Sequence, residues 1–510
     1  MKCRHWIAAL ALALPAFTGL ARAEDSYWSY ASDNIDVTGV GGAGYVTLLV
    51  HNLHRLDQAV RLILKDDQGE QRPPTHVFAL YRGLFDKVTG SHGDLTSVYY
   101  ISADANYVVI DANEGSSPEL RFWNAYFGYA GSILASNNAT RFPRWYRQGF
   151  SELFAATTVD RARVVVGGYN PGQVSTLRHS SLMPMRTFLQ LGDGDPRIAP
   201  RADLQLYSAQ SWLLLHEVLI EGLHRDEFTH YLSLIDSGQS PDAAFSASFK
   251  MSYEDLDSAL WHALRNGNIT SYEVRLADAP ETGKAQQIST AELDGRLALL
   301  TSRGGHQREI ATSFAHHSLS KEPANETALR ALAQIQLNEG NFAEALQTID
   351  RMGTGSTLSA AGYADRAVVL EGISNAVRSR RANLNVDPAQ LHGRINEDLQ
   401  RAIELEPENL SYWAQKARVI ADYADREQAK TFFPQVVHTY YQHPGNPALA
   451  FSLARMCAAT GDLDNALRFA TAWQENARNA AGRNSATAFI ASVKAAMERR
   501  AASAPEAPKS

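Results

Sequence analysis

Four side chains in the run His216-Glu217-Val218-Leu219-Ile220-Glu221-Gly222-Leu223-His224 are of types that hold a divalent metal or move a proton. A helical metal pair needs its histidines at i and i+4, one turn apart, so that both imidazoles reach one ion. His216 and His224 are eight residues apart, and the i+4 position from His216 is Ile220. The spacing therefore predicts a helix that buries His216 and leaves Glu217, Glu221 and His224 to solvent. Gly39-Val40-Gly41-Gly42-Ala43-Gly44 is a formal G-x-G-x-x-G between a strand-like and a helix-like run, the setting of a dinucleotide site. Such a site also wants a second strand ending in an acid about 20 residues on. Here Lys65-Asp66-Asp67-Gln68-Gly69 follows a helix as a polar turn, so the glycine turn reads as structural. His316-His317 falls on a repeat helix and reads as surface. The chain has no G-x-S-x-G elbow, phosphate loop or C-x-x-C, so nucleophilic catalysis has no visible carrier.

A larger pattern runs from Phe127 to Glu152, FGYAGSILASNNATRFPRWYRQGFSE. It resembles the active-site segment of the gluzincin metallopeptidases, the exported bacterial aminopeptidase-like group, in which an H-E-Y-x-H helix precedes W-Y-x-E-G-F-A-E. Tyr129, Trp145, Tyr146, Gly149, Phe150 and Glu152 stand as that frame has them, with Ser151 in place of the usual Ala. In the family two histidines converge on zinc, a glutamate beside the first activates bound water, and a distal glutamate completes the shell. The resemblance lays these four roles on Phe127, Gly128, Gly131 and Gln148. Phenylalanine and glycine offer no side-chain donor, and Gln148 has only a neutral amide where hydrolytic zinc wants carboxylate, imidazole or thiolate. With the general base gone as well, water activation has no agent. The resemblance thus implies a degenerate site without metal or other cofactor and no catalytic residue. The Phe127 ring is expected to fill the vacated cavity, with Gly128 and Gly131 leaving room for it.

The resemblance covers residues 24–265 and extends through Thr158–Val166, Pro184–Leu191 and Tyr207–Leu219. Within it, residues 24–118 read as a mixed α/β subdomain: strands at Ile35–Thr38, His76–Tyr81, Ser97–Ile101 and Tyr107–Asp111, and a helix with apolar spacing over Tyr45–Leu64. Residues 119–280 read as the helical subdomain that carries the degenerate site.

From Ala291 the texture becomes helix after helix. GNFAEAL at Gly340–Leu346 and GDLDNAL at Gly461–Leu467 resemble the turn and second-helix entry of tetratricopeptide repeats, which stack two-helix units of about 34 residues. Pro323 leads to Ala333 and Pro407 to Ala417, the same ten-residue step, and small residues there let paired helices approach closely. Five hairpins are expected over 292–323, 326–353, 358–407, 410–444 and 447–478, the third interrupted by an insertion at Ser379–Leu391. An Ala-rich helix over 484–500 would close the stack, and 501–510 reads as a disordered tail. The expected fold class is an α+β gluzincin-like domain (24–280) followed by an all-α tetratricopeptide-repeat solenoid (291–500).

The 510 residues are 45% hydrophobic, enough for more than one core. Lys2 and Arg4 precede an apolar run that ends at Ala21-Arg22-Ala23, the form of a signal peptide cleaved near Ala23, so residues 1–23 are expected to be removed. Cleavage takes away Lys2, Arg4 and Arg22 and no acid, moving the formal charge from −7 to −10. Nucleic acid is not the expected partner. No later stretch is long and apolar enough to span a bilayer, and Cys457, alone after cleavage, has no internal cysteine to pair with. The leading expectation is a periplasmic or secreted pseudopeptidase, not an enzyme, whose repeats bind protein or peptide. One alternative is an active zinc peptidase with rearranged ligands, recruiting Glu152 with His179 or His216. Another is an envelope assembly factor acting only through its repeats.

Overall fold

The structure is a computed structural model that describes residues 26–32, 34–64, 73–91, 95–102, 105–112, 118–136, 142–160, 163–266, 269–276, 283–304, 307–353, 358–477 and 480–502. The leader, the acids of the 65–69 turn and the tail from 503 lie outside the described residues.

The first half is built on a six-stranded sheet. In chain order come β1 (Trp28–Ser32), β2 (Ile35–Gly39), α1 (Gly42–Leu64), β3 (Thr75–Leu80), α2 (Arg82–Thr89), β4 (Ser97–Ile101) and β5 (Asn106–Asp111). A two-residue strand, β9 (Gln286–Gln287), returns to the far edge, giving the order β4-β5-β3-β2-β1-β9. β2, β3 and β5 are parallel, with Val37 opposite Val77 and Val77 opposite Val108, while β1, β4 and β9 run antiparallel to their neighbours. A strand covered on both faces has no solvent side, which is why β5 is a run of six buried residues rather than an alternation. Gly39 is needed for this packing, since a Cβ there would stand 2.5 Å from that of Ala79. β1 and β9 are elements the sequence pattern did not single out.

Alternation sends the two faces into two cores. Val37, Val77, Val108 and Ile110 pack under α1 and the helices that follow. Phe78, Leu80, Tyr107 and Val109 pack on the opposite face against Phe85 of α2 and against Leu293, Leu297 and Leu300. Those leucines belong to α11 (Thr290–Arg303), the first helix of the C-terminal half. The solenoid therefore supplies the second cover of the sheet. Arg296 fastens the joint, donating to Ser29 Oγ and Thr38 Oγ1 at 2.8 Å each.

Between the two halves lie α3 (Pro118–Ser136), α4 (Arg144–Ala155), β6 (Thr158–Asp160), β7 (Arg163–Val166), α5 (Pro171–His179), α6 (Met185–Gln190), α7 (Arg201–His216), α8 (Arg225–Asp236), α9 (Pro241–Ser248), α10 (Tyr253–Asn266) and β8 (Tyr272–Arg275). β6, β7 and β8 form a small antiparallel sheet.

The rest is a helical solenoid: α11 with α12 (Arg308–Lys321), α13 (Glu326–Glu339) with α14 (Phe342–Arg351), α15 (Ala360–Arg378) with α16 (Pro388–Leu405), α17 (Leu410–Asp422) with α18 (Arg426–Gln442), and α19 (Pro447–Thr460) with α20 (Leu463–Asn476), closed by α21 (Ala480–Ala502). The sequence writes the helix ends. Ser289, Asn325, Ser359, Asp387, Asn409, Asp425, Asn446 and Asp462 cap N-termini with their side chains, and Gly340 and Gly461 take the left-handed conformation past α13 and α19. Ala333, Ala417, Ala454 and Ala466 are fully buried. Along the first helices of the hairpins an arginine ladder runs from unit to unit. Arg303 and Arg330 both bind Asp365, at 2.8 and 2.7 Å, Arg418 binds Glu371 at 2.6 Å, and Arg455 binds Asp422 at 2.5 Å. Burial works against the Asp365 carboxylate, but Arg330 and Arg303 hold its pKa below the ordinary value.

Candidate functional site

α3 and α4 pack side by side beneath the edge of the sheet, and their contact sets Gly131 against Ser151, the residue before Glu152 on α4. Gly128 faces the strands: a Cβ on it would stand 2.3 Å from Ser97 Oγ and 2.6 Å from Val108 Cγ1. Gly131 faces a ring. A Cβ there would stand 2.5 Å from Tyr99 Cε1 and 3.1 Å from Ser151 Oγ. Tyr99, on edge strand β4, is thus the aromatic that lies over Gly131. Phe127 is only half-buried and is not part of the buried core, which corrects the expectation that its ring fills this space. The reason is helical geometry, because Gly128 and Gly131 share the face of α3 turned to the sheet and Phe127 is a residue off it.

The Arg147 side chain hydrogen-bonds the Tyr99 hydroxyl and also reaches Asp193 Oδ2 at 2.5 Å. Burial is the main reason the Tyr99 pKa is raised, with Arg147 pulling the other way.

Glu152 sits one turn after Gln148 on α4 and is 8% exposed. Gln148 Nε2 donates to its Oε1 at 2.9 Å and to Ser208 Oγ at 2.9 Å, while Gln173 Nε2 of α5 donates to its Oε2 at 2.8 Å. Both carboxylate oxygens are therefore held by neutral amides. Burial pushes the Glu152 carboxyl up to about 7, and the two amide donors only partly offset it. No cation faces it among these partners. The Oε1 of Gln173 is buried with no hydrogen-bond partner among the described residues.

The other residues of that sequence frame are packing elements. Gly149 lets α4 meet α7, since a Cβ there would stand 2.3 Å from the Ser211 carbonyl oxygen. Trp145 is fully buried, edge-on to Tyr146 and Phe228 at centroid distances of 5.6 and 5.8 Å. Tyr146 stacks on Phe142 at 4.7 Å. Tyr129 points away to α1, its hydroxyl donating to Asp57 Oδ1 at 3.2 Å.

Zinc does not suit this arrangement. Phe127, Gly128 and Gly131 supply no donor atom, the Gln148 amide nitrogen is committed to Glu152 and Ser208, and the Tyr99 ring stands where a side chain at 131 would have to pass. Among the described residues no group of three His, Cys, Asp or Glu is placed to hold a metal.

The remaining histidines go elsewhere. His179 Nδ1 bonds the Ser175 carbonyl at 2.8 Å, and neither His179 nor His216 bonds Glu152. His216 is fully buried, with Nε2 at 2.9 Å from the Thr270 carbonyl and Nδ1 at 3.4 Å from Glu217 Oε1. Burial alone would lower its pKa, but Glu217 and Thr270 hold it raised. The solvated reading of Glu217 needs correcting, whereas Glu221 is exposed as expected. Residues Glu217–Glu221 form a π-helical turn, which draws Glu217 beside His216 and lets Thr270 Oγ1 donate to Glu221. His317 Nδ1 lies 2.6 Å from Asp294 Oδ2 at the solenoid surface, and His316 is exposed. The glycine turn at 39–44 leads from β2 into α1, and the next parallel strand, β3, ends in Leu80 rather than an acid.

Sequence reasoning missed Tyr99, Arg147, Gln173 and Ser208. Their types carry no motif, and only the packing of β4, α5 and α7 around α4 brings them in.

No protein-family model matches the chain, and no curated protein does. A solved structure of a thermophilic TPR protein from Thermus thermophilus shares 18% identity with it, over 39% of this chain and 98% of that chain, at a TM-score of 0.31.

Proposed function

We propose that the protein is an exported, periplasmic pseudopeptidase: a gluzincin-like unit that no longer binds zinc, joined to a tetratricopeptide-type solenoid that holds a protein or peptide partner. The observation that supports it is the closed contact between α3 and α4, where the resemblance would set a metal cluster and the ring of Tyr99 and the Gln148–Glu152–Gln173 hydrogen bonds lie instead. The frame residues persist because they hold helices together, as Gly149 does against α7. The solenoid supports the binding half of the reading through its capped hairpins, which line up their first helices into one surface. Its arginine ladder stiffens that surface from unit to unit.

The test is metal content and chemistry together. Mature chain, dialysed and analysed by mass spectrometry, is expected to carry far less than one zinc per chain and to cleave no peptide in a chelator-sensitive way. Stoichiometric zinc that survives dialysis would restore the active-peptidase reading.

A further inference from the structure

The third hairpin of the solenoid is where its period breaks, and the extra residues Ser379–Asp387 shape a depression of 430 Å³ lined by Arg378, Pro388, Ala389, His392, Tyr423 and Asp425. Its floor is a fixed aromatic platform. The Tyr423 hydroxyl donates to Ser374 Oγ at 2.6 Å, and the His392 ring stacks on Tyr423 with centroids 4.0 Å apart. His392 Nε2 in turn lies 2.9 Å from Asp425 Oδ2. The Arg378 guanidinium stands over the Tyr423 ring, 4.9 Å from its centroid.

The arginines here differ from those of the ladder. Arg303, Arg330, Arg418 and Arg455 each bind a carboxylate. Arg378, Arg380 and Arg381, three arginines within four residues, are exposed and have no carboxylate partner among the described residues. A guanidinium positioned on an aromatic face with its donors unspent is a ready partner for a carboxylate, which it can meet with two parallel hydrogen bonds. The backbone here is also unusual. Of the three non-glycine residues with positive φ among those described, Arg380 (58°) adjoins the depression and Ala424 (49°) sits between its lining residues Tyr423 and Asp425. Such conformations persist where the surroundings impose them, and they gather at ligand sites.

We propose that this depression is a docking subsite for an acidic segment of a partner polypeptide, one Glu or Asp carboxylate seated on Arg378 and its neighbours reaching Arg380 and Arg381. Pro388 and Ala389 give the methylenes of a glutamate an apolar wall. The subsite rests on the protein-binding reading and names the chemistry of one contact within it.

The experiment uses the full mature chain and three fluorescein-labelled, C-terminally amidated peptides of sequence Gly-X-Ala-X-X-Ala-X, with X as Glu, Gln or phosphoserine, followed by anisotropy. The Glu peptide is expected to bind with an affinity that falls as salt rises. Binding should drop at least tenfold for the Gln peptide and at least tenfold for the Arg378→Ala chain. Arg378 is exposed, so circular dichroism of the variant should match the parent, and Arg378→Glu should instead bind the corresponding Lys peptide. Equal binding of the Glu peptide to the parent and Arg378→Ala chains, tighter binding of the phosphoserine peptide, or no binding at millimolar peptide overturns the proposal. A physiological partner that is captured equally by the parent and Arg378→Ala chains sinks the subsite alone and leaves the protein-binding reading standing.

Discussion

The ring of Tyr99 lies across Gly131, with Cε1 2.5 Å and Cδ1 3.0 Å from the point where a Cβ on residue 131 would stand. Helix propensity favours alanine over glycine by roughly 1 kcal/mol, whereas overpacking a filled interface costs about 1–3 kcal/mol. The clash should win. Gly131→Ala is expected to lower stability by about 1–2 kcal/mol in urea unfolding. In a Tyr99→Ala background the same change should cost about 1 kcal/mol less, since only the Ser151 Oγ at 3.1 Å is left to oppose the gain in propensity. An equal cost in the two backgrounds would show that the ring does not fill the site.

Writing zinc-ligand side chains into these four positions alone should therefore fail to create a metal site. Gly128→Glu meets Ser97 and Val108, and Gly131→His meets Tyr99. The quadruple variant Phe127→His, Gly128→Glu, Gly131→His, Gln148→Glu is expected to be strongly destabilised and to take up no zinc by calorimetry. Adding Tyr99→Ala, Ser97→Gly and Val108→Ala opens the interface, and zinc uptake is expected to appear only then.

Glu152 makes a pH prediction with a definite sign. Its carboxyl titrates near 7 in the fold and near 4.3 in the unfolded chain, so the folded state holds the proton more tightly. The associated stability is complete below about pH 4 and is lost as pH rises through 7. Glu152→Gln removes the charge, and its new NH2 can be met by the unpartnered Oε1 of Gln173 once that amide flips. Its stability relative to the parent should improve by roughly 2–3 kcal/mol between pH 4 and 8, read from urea midpoints. A constant difference across that range would remove the buried-carboxyl account.

Lys416 of α17 carries the opposite burden. It is 5% exposed, donates to Gln400 Oε1 at 2.6 Å and lies over the Phe432 ring, and burial brings its ammonium down to about 8. Because the folded pKa is the lower one, stability should rise with pH between about 8 and 10.4. Lys416→Met is expected to raise stability by about 1–3 kcal/mol at pH 7 and to flatten that rise. Thermal unfolding at pH 7 and 10 checks both.

The sheet and the solenoid should unfold together. Leu297 of α11 is fully buried in the core that also holds Phe78, Leu80 and Val109. Leu297→Ala is expected to cost about 2–5 kcal/mol and to shift one cooperative transition seen alike by tryptophan fluorescence and circular dichroism. Two separate transitions in the parent chain would contradict a shared core.

Much of the architecture was legible because it is written in local signals. β5 reads as a strand from Tyr107-Val108-Val109-Ile110, and β2, β3 and β4 likewise fall within a residue or two of their apolar runs. The hairpins were legible from their alanines, prolines and glycine turns, each of which acts within a few residues of itself. β1 and β9 were not, since a strand such as Gln286–Gln287 exists only because β1 offers it an edge.

At the candidate site the division falls the same way. The identities of Phe127, Gly128, Gly131 and Gln148 determine from the sequence alone that the donors for zinc are missing, because donor chemistry belongs to the residue type. What fills the contact between α3 and α4 was decided in three dimensions. Tyr99 comes from a strand, Gln173 and Ser208 from two further helices, and the solenoid's leucines cover a sheet that lies far earlier in the chain. Periodicity and motif act over one or two turns, whereas burial is settled by whatever surface the folded chain presses against it.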